Sequence, residues 1–163
     1  MPSTHTTPIS PGKWLQTQRL VHMGLVLGLG ASIVFLNMDN IPDVDFQSLD
    51  YLFPYGVPVL AAAGILLGAF LFRRQMVPLR KAGELDNKLN GYGTASLIRW
   101  GLVEGPAFLA NIAAGNEGNA AYLILAVVLL LYIVTLAPTR QRVLNDLQLN
   151  PEQQRAFEAD FKN

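Results

Sequence analysis

The sequence predicts an all-α integral membrane protein with four transmembrane helices, both termini in the cytoplasm, an amphipathic cytoplasmic loop and a C-terminal tail helix. Of its 163 residues, 51% are hydrophobic and only 15% are charged, whereas ordinary soluble domains carry about 25% charged residues. Three stretches of 19 to 22 residues contain no Asp, Glu, Lys or Arg: 20–38, 51–72 and 118–139. A helix needs about 20 mostly apolar residues to cross a bilayer, so this pattern excludes a soluble enzyme domain.

The first two predicted helices cover about residues 20–38 and 55–72. The first apolar stretch is of full length and no cleavage site follows it, so we interpret it as an uncleaved membrane helix rather than a secretory signal. The polar segment before it, residues 1–19, is predicted to be irregular and cytoplasmic. Residues 39–54 are predicted to form a loop on the opposite side of the membrane.

The third and fourth predicted helices cover about residues 94–114 and 120–137. The third contains Arg99 and Glu104, yet its length and its mostly apolar content favour a crossing. Gly115–Asn119 is long enough only for a tight turn between the two helices. Four crossings place both termini on the same side of the membrane.

The chain therefore divides into a polar N-terminal segment, a four-helix membrane domain at 20–138 and a cytoplasmic helical tail at 139–163. The loop at 73–93 has leucines near helical spacing among charged residues, which predicts an amphipathic helix. In the tail, Asn150 and Pro151 form a helix start, with an Asn cap followed by Pro at the first helical position.

The distribution of basic residues predicts the orientation. All twelve Lys and Arg residues fall on one side of the four-crossing arrangement, and positive residues collect on the cytoplasmic side. The termini and the 73–93 loop are therefore predicted to be cytoplasmic. The twelve residues are Lys13, Arg19, Arg73, Arg74, Arg80, Lys81, Lys88, Arg99, Arg140, Arg142, Arg155 and Lys162.

Pairs of glycines four residues apart are predicted to pack the helices against each other. Lipid tails are as apolar as leucine, so helices in a membrane associate through close backbone approach at small residues. Such pairs also occur by chance in glycine-rich membrane helices. The candidate packing residues are Gly24, Gly28, Gly64, Gly68, Gly101 and Gly105.

Glu104 is the candidate site for proton or ion binding. It lies near the middle of the third helix, where a charged carboxylate costs roughly 2.5–3.5 kcal/mol. Such a group faces water, pairs with a partner or is protonated. Asn111, seven residues later, lies on nearly the same helix face. The alternative interpretation is structural, with Glu104 pairing to a polar group and so fixing the helix packing.

The sequence contains no set of residues that predicts catalysis, a cofactor or a metal site. It has no cysteine, no glycine-rich phosphate loop and no zinc-protease motif. His22, near the start of the first membrane helix, is interpreted as a hydrogen-bonding residue rather than a haem ligand. The net charge of zero gives no reason to expect nucleic acid as a partner.

Two resemblances extend this interpretation. IRWGLVEGPAFLANIAA, residues 98–114, is similar to the carboxylate-bearing helix of rotary ATPase proteolipid (c-type) subunits, which implies a proton- or ion-carrying role for Glu104. The loop at 73–93 is too long for that family. KLNGYGTASLIRWGLVEGPAF and APTRQRVLNDLQL, together with the GN turn, resemble small four-helix bacterial inner-membrane proteins with no assigned activity.

Two functions are therefore expected. The first is a non-enzymatic structural or accessory subunit of the bacterial inner membrane, packed through its first three helices against other membrane subunits or further copies of itself. The alternative is a proton- or ion-handling membrane component that uses Glu104.

Overall fold

The computed structural model describes residues 10–38 and 53–161, with side chains from residue 55 in the second range. Within these ranges the chain forms helices and no strand. The helices are α1 (Pro11–Asn37), α2 (Phe53–Lys81), α3 (Leu85–Glu117), α4 (Ala120–Thr135), α5 (Arg140–Leu147) and α6 (Pro151–Ala159). Most of the predicted 39–54 loop lies outside the described residues.

Helix α1 begins nine residues before the predicted membrane segment. The Ser10 side chain accepts a hydrogen bond from the Lys13 backbone N–H, and Pro11 occupies the first helical position. This combination starts a helix, because proline has no N–H to leave unpaired. The prediction of an irregular segment is therefore wrong for residues 11–19, which form the first turns of α1.

The predicted loop at 73–93 is mostly helix. Helix α2 continues to Lys81 and α3 begins at Leu85, so residues 82–84 connect the two helices. The amphipathic character was predicted, but the helical turns belong to the two long helices rather than to a separate element. Leu89 is fully buried there.

The turns after α3 follow local sequence signals. Gly118 adopts a left-handed conformation (φ 63°) at the end of α3, and the Asn119 side chain accepts the Ala121 N–H to start α4. A tight turn between the third and fourth helices is thus confirmed. The predicted Asn150 cap and Pro151 start of the tail helix are also confirmed, with Gln153 completing a capping box.

Among the described residues, two helices are long and apolar enough to cross a membrane. They are α1 and the Tyr55–Lys81 part of α2, and α4 with α5 makes a third if this pair, bent by 75°, is one span. Helix α3 is not among them, because Arg99 and Glu104 interrupt its apolar stretch. An all-helical chain with two to three potential spans is typical of a membrane protein.

The buried apolar side chains form two clusters. The first, which we call the alanine-rich core, lies among α1, the first half of α2, α3 and α4; its members are Leu29, Ile33, Val57, Ala61, Val103, Ala107, Ala110, Ala113, Ala114, Tyr122, Ala126, Leu129 and Ile133. The second, which we call the aromatic core, joins the start of α1, the end of α2 and the start of α3 to α5 and α6; its members are Trp14, Leu15, Phe72, Met76, Leu89, Tyr92, Ala95, Val143, Leu147, Leu149 and Phe157.

Candidate functional site

The glycine pair of α2 packs against α3. A methyl group added at Gly64 would collide with the backbone carbonyl of Leu102, and one at Gly68 would lie 3.4 Å from the backbone oxygen of Arg99. The missing side chains therefore let the two backbones approach closely. Gly64 and Gly68 form a helix seam within the chain.

The glycine pairs of α1 and α3 point away from the other described residues. A methyl group added at Gly24, Gly28, Gly101 or Gly105 would meet no heavy atom of the described residues within 4 Å. All four glycines are exposed. Any packing role for these two pairs requires a partner outside the described residues.

Helices α1 and α3 run parallel and in step. The rings of His22 and Trp100 meet edge to face with centroids 4.9 Å apart. Further along, the Asn111 amide donates to the Ser32 hydroxyl at 3.2 Å. Between these two contacts α1 advances by ten residues and α3 by eleven, so the two helices cover nearly the same length. The two exposed glycine pairs therefore lie at the same level along the bundle.

The two pairs also lie on the same side of the bundle. A helix turns by about 100° per residue, so Gly24 is opposite the buried Ile33, and Gly101 is opposite the buried Ala110. Ile33 and Ala110 belong to the alanine-rich core, in which both helices meet α4. We call the outward surface formed by Gly24, Gly28, Gly101 and Gly105 the glycine face.

Glu104 lies at the edge of the glycine face, on the side of α1. Its position on α3 is about 60° around the helix from Gly101 and about 20° from Asn111, whose side chain bonds to α1. The side chain is half-buried. Among the described residues, no hydrogen bond or ion pair involves its carboxyl group.

Asn111 belongs to a separate, buried polar network. Its side-chain oxygen accepts the Asn37 amide at 3.0 Å and its own amide donates to Ser32. The Asn37 amide also donates to the backbone oxygen of Ile33 at 2.8 Å. Although Asn111 shares a helix face with Glu104, its two polar atoms are used to hold α1 against α3.

His22 forms a structural contact of the predicted kind. It is buried, and its Nε2 lies 3.0 Å from the backbone oxygen of Ile133 near the end of α4. The imidazole also contacts the Trp100 ring edge to face. This imidazole links α1, α3 and α4. Within the described ranges, no group of three or more His, Cys, Asp or Glu side chains could hold a metal ion.

The structure contains a cavity lined by arginines that the sequence pattern did not predict. It has a volume of about 500 Å³ and lies between the ends of α2 and α5 and the side of α3. In the sequence these arginines are four of the twelve basic residues, with no motif that connects them. They come from three separate helices: Arg73 and Arg80 from α2, Arg99 from α3 and Arg142 from α5. The packing of α2 against α3, and of α5 against both, brings them together.

Comparison of the chain with known protein families, curated proteins and solved structures finds no match. The resemblances to proteolipid subunits and to small four-helix inner-membrane proteins therefore stay predictions.

Proposed function

We propose that the protein is a non-enzymatic, four-span membrane protein that serves as a structural or accessory subunit and receives a helix of another membrane subunit on its glycine face. The observation that carries the proposal is the combination of Glu104 and this surface. A half-buried carboxyl group without a partner among the described residues lies beside exposed glycines. A carboxylate at the middle of a bilayer is costly unless a polar group pairs with it.

A partner helix would both pack against the exposed glycines and supply a polar group for the Glu104 carboxyl group. The exposed glycines of α1 and α3 lie at one level, so a third helix could approach both backbones closely. A Ser, Thr, Asn or Lys on that helix could then donate to Glu104. The sides of α1 and α3 opposite the glycine face are already buried in the alanine-rich core. The glycine face is therefore where these helices have room for a partner.

The distribution of charge supports the four-span topology in the inner membrane of a bacterium. Helix α3 would be the third crossing, with Arg99 reaching the cytoplasmic boundary through its long side chain. The twelve basic residues would then all be cytoplasmic, in agreement with the positive-inside rule. With three crossings, the basic residues after α4 would lie outside.

Cysteine labelling tests this topology, because the chain has no cysteine of its own. We expect Lys81→Cys and Arg155→Cys to react from the cytoplasmic face with a membrane-impermeant maleimide. Glu117→Cys should react from the opposite face. Labelling of Glu117→Cys only from the cytoplasm would contradict the four-span topology.

Association is tested by affinity purification from native membranes in a mild detergent, followed by a blue-native gel. We expect a defined complex that Gly101→Leu abolishes, because the added side chain fills the glycine face. Ala62→Leu is the matched control, since Ala62 is exposed on the side of α2 away from α3. Equal behaviour of the two variants, or a monomer without a partner, would contradict the proposal. A disulfide-linked dimer of Gly105→Cys would identify the partner as a second copy.

The alternative proposal is a proton- or ion-handling component that uses Glu104. It is favoured by the absence of a pairing group for this carboxyl among the described residues. It predicts that a carboxyl-reactive carbodiimide labels Glu104 within the bilayer, and that Glu104→Gln abolishes coupled transport while the complex still assembles. If Glu104→Gln leaves transport intact and Glu104→Leu weakens assembly, the carboxyl group is structural.

A further inference from the structure

The arginine-lined cavity combines a charged wall with an apolar wall. Arg73 and Arg80 come from the end of α2, Arg99 from α3 and Arg142 from α5, and Asp146 is the one acidic residue of the lining. The apolar wall consists of Ala69, Phe72, Met76, Val77 and Leu136. The cavity therefore offers both a cationic surface and a hydrocarbon surface to one ligand.

Among the described residues that line the cavity, positive charge exceeds negative charge. Four guanidinium groups face one carboxylate, and Tyr92 already donates to that carboxylate, Asp146, at 3.2 Å. The ion pair Arg140–Glu158 lies outside the cavity. An anionic ligand would supply the missing negative charge.

Two of these arginines, Arg80 and Arg142, are held in place by hydrogen bonds that use only part of their N–H groups. Arg142 Nη1 donates to the backbone oxygens of Thr135 (2.7 Å) and Ala137 (3.1 Å). Arg80 Nε donates to the Asp146 backbone oxygen at 2.8 Å. Each guanidinium has five N–H donors, so both groups keep donors for a ligand.

One N–H donor of Arg99 is unsatisfied among the described residues. Its guanidinium lies over the Phe72 ring, with the central carbon 5.1 Å from the ring centroid. One terminal nitrogen is 3.4 Å from the Tyr132 hydroxyl, but the buried Nε has no hydrogen-bond partner among the described residues. A buried N–H donor without a partner is destabilising, and the terminal N–H groups of Arg99 remain as donors at the cavity wall.

We propose that this cavity binds the phosphate group of an anionic phospholipid. Guanidinium groups bind phosphate oxygens through paired N–H donors, and basic pockets between membrane helices at the cytoplasmic side accept anionic headgroups. The apolar wall and the position of Arg73, directly after the apolar stretch of α2, favour a lipid over a free phosphate ion. The proposal rests on the membrane assignment and is independent of the glycine face.

Two double variants remove equal charge from neighbouring positions. Arg73→Gln/Arg80→Gln removes two cavity arginines, whereas Arg74→Gln/Lys81→Gln removes two basic residues from the same turns of α2 that do not line the cavity. Lipid binding is measured by native mass spectrometry of the full chain in a neutral detergent. The probes are dioleoyl phosphatidylglycerol, dioleoyl phosphatidylcholine and inorganic phosphate.

We expect the wild-type protein to retain phosphatidylglycerol in preference to phosphatidylcholine. The cavity variant should lose about tenfold in affinity for phosphatidylglycerol, and the control variant no more than about threefold. Gly101→Leu, which should lose the association with a partner, is expected to bind the lipid like the wild type. Failure of the lipid proposal can therefore be distinguished from failure of the proposed association. Circular dichroism checks the fold, and the single variants Arg73→Gln and Arg74→Gln replace the doubles if the cavity double is unfolded.

Three results would overturn the proposal. Equal losses in the two double variants would show attraction to the basic surface rather than to the cavity. Equal retention of phosphatidylglycerol and phosphatidylcholine would show that the negative charge of the headgroup is not recognised. Full displacement of the lipid by an equal concentration of inorganic phosphate would assign the cavity to soluble phosphate ions.

Discussion

The alanine-rich core and the aromatic core hold the same helices together by different means. The first is built mostly from alanines and aliphatic side chains with a glycine seam, and the Asn111–Ser32 hydrogen bond links α1 to α3 beside it. The second contains two buried aromatic pairs centred on Tyr92, with Trp14 at 6.1 Å and Phe72 at 5.6 Å between ring centroids, and it is closed by α5 and α6.

The difference follows from the surroundings that the two regions are proposed to have. In lipid, apolar burial gives little driving force, so close backbone contact and shared hydrogen bonds stabilise the packing. In water, burial of large apolar side chains is the main driving force. Different forces are thus expected to stabilise the packing at the two ends of α2 and α3. Similar substitutions in the two cores should therefore change the stability by different amounts.

The largest effect is expected in the aromatic core. Phe157 is fully buried, and Phe157→Ala should weaken the docking of α6 by about 3–5 kcal/mol, because a large apolar side chain leaves a cavity. Hydrogen exchange should show loss of protection in residues 151–159, while α1 to α4 remain protected. Arg155→Ala, an exposed position on the same helix, should leave the exchange unchanged. Unchanged protection in Phe157→Ala would show that α6 docks without this anchor.

The next effect is expected at the glycine seam of the alanine-rich core. Gly64→Val should lower the free energy of unfolding by about 3 kcal/mol, because the added side chain meets the Leu102 carbonyl and separates α2 from α3. Unfolding in mixed micelles of increasing dodecyl sulfate content, followed by circular dichroism, measures this. Gly101→Val places the same side chain on the open face and should fold like the wild type. Equal stability of both variants would mean that the seam tolerates separation.

A smaller effect is expected for the buried polar network between α1 and α3. Asn111→Ala removes the partners of Asn37 and Ser32 and should cost about 1 kcal/mol, which is typical of hydrogen bonds between membrane helices. The same micelle titration measures it. Asn116→Ala, at an exposed position near the end of α3, is the control. A loss no larger than in the control would indicate that water or lipid replaces these bonds.

The smallest effect is expected at the contact between the end of α6 and the start of α1. Asp160 accepts hydrogen bonds from the Ser10 hydroxyl and the Gly12 N–H, and these lower its pKa from the ordinary 3.8. Because the pKa is lower in the folded chain than in the unfolded chain, the contact stabilises docking above pH 3.8 and is lost as the pH falls through the lowered value.

Fluorescence of Trp14, one turn further along α1, should report this loss as the pH falls below 3.8. Asp160→Asn should remove that part of the pH dependence, because an amide does not titrate in this range. Glu152→Gln, an exposed acid in the first turn of α6, should keep it. A pH profile that is identical in Asp160→Asn and in the wild type would exclude a role for this contact.

The helical class, the turn at Gly118 and Asn119 and the capped start of α6 could be predicted from the sequence. Each depends on residues within a few positions of one another, such as an apolar stretch of about 20 residues or an Asn–Pro pair. The start of α1 also had a local signal, Ser10 followed by Pro11, but the polar composition of the segment concealed it.

Only the tertiary structure decided which glycines pack within the chain and which face outward. The three glycine pairs look alike in sequence, yet only Gly64 and Gly68 face a neighbouring backbone, because helix rotation is set by the whole core. The same holds for Asn111, which bonds to α1 rather than to Glu104. The arginine cavity gathers side chains more than 60 residues apart, from Arg73 to Arg142. Hydropathy and capping act between neighbours in the chain, whereas these arrangements depend on how distant helices pack.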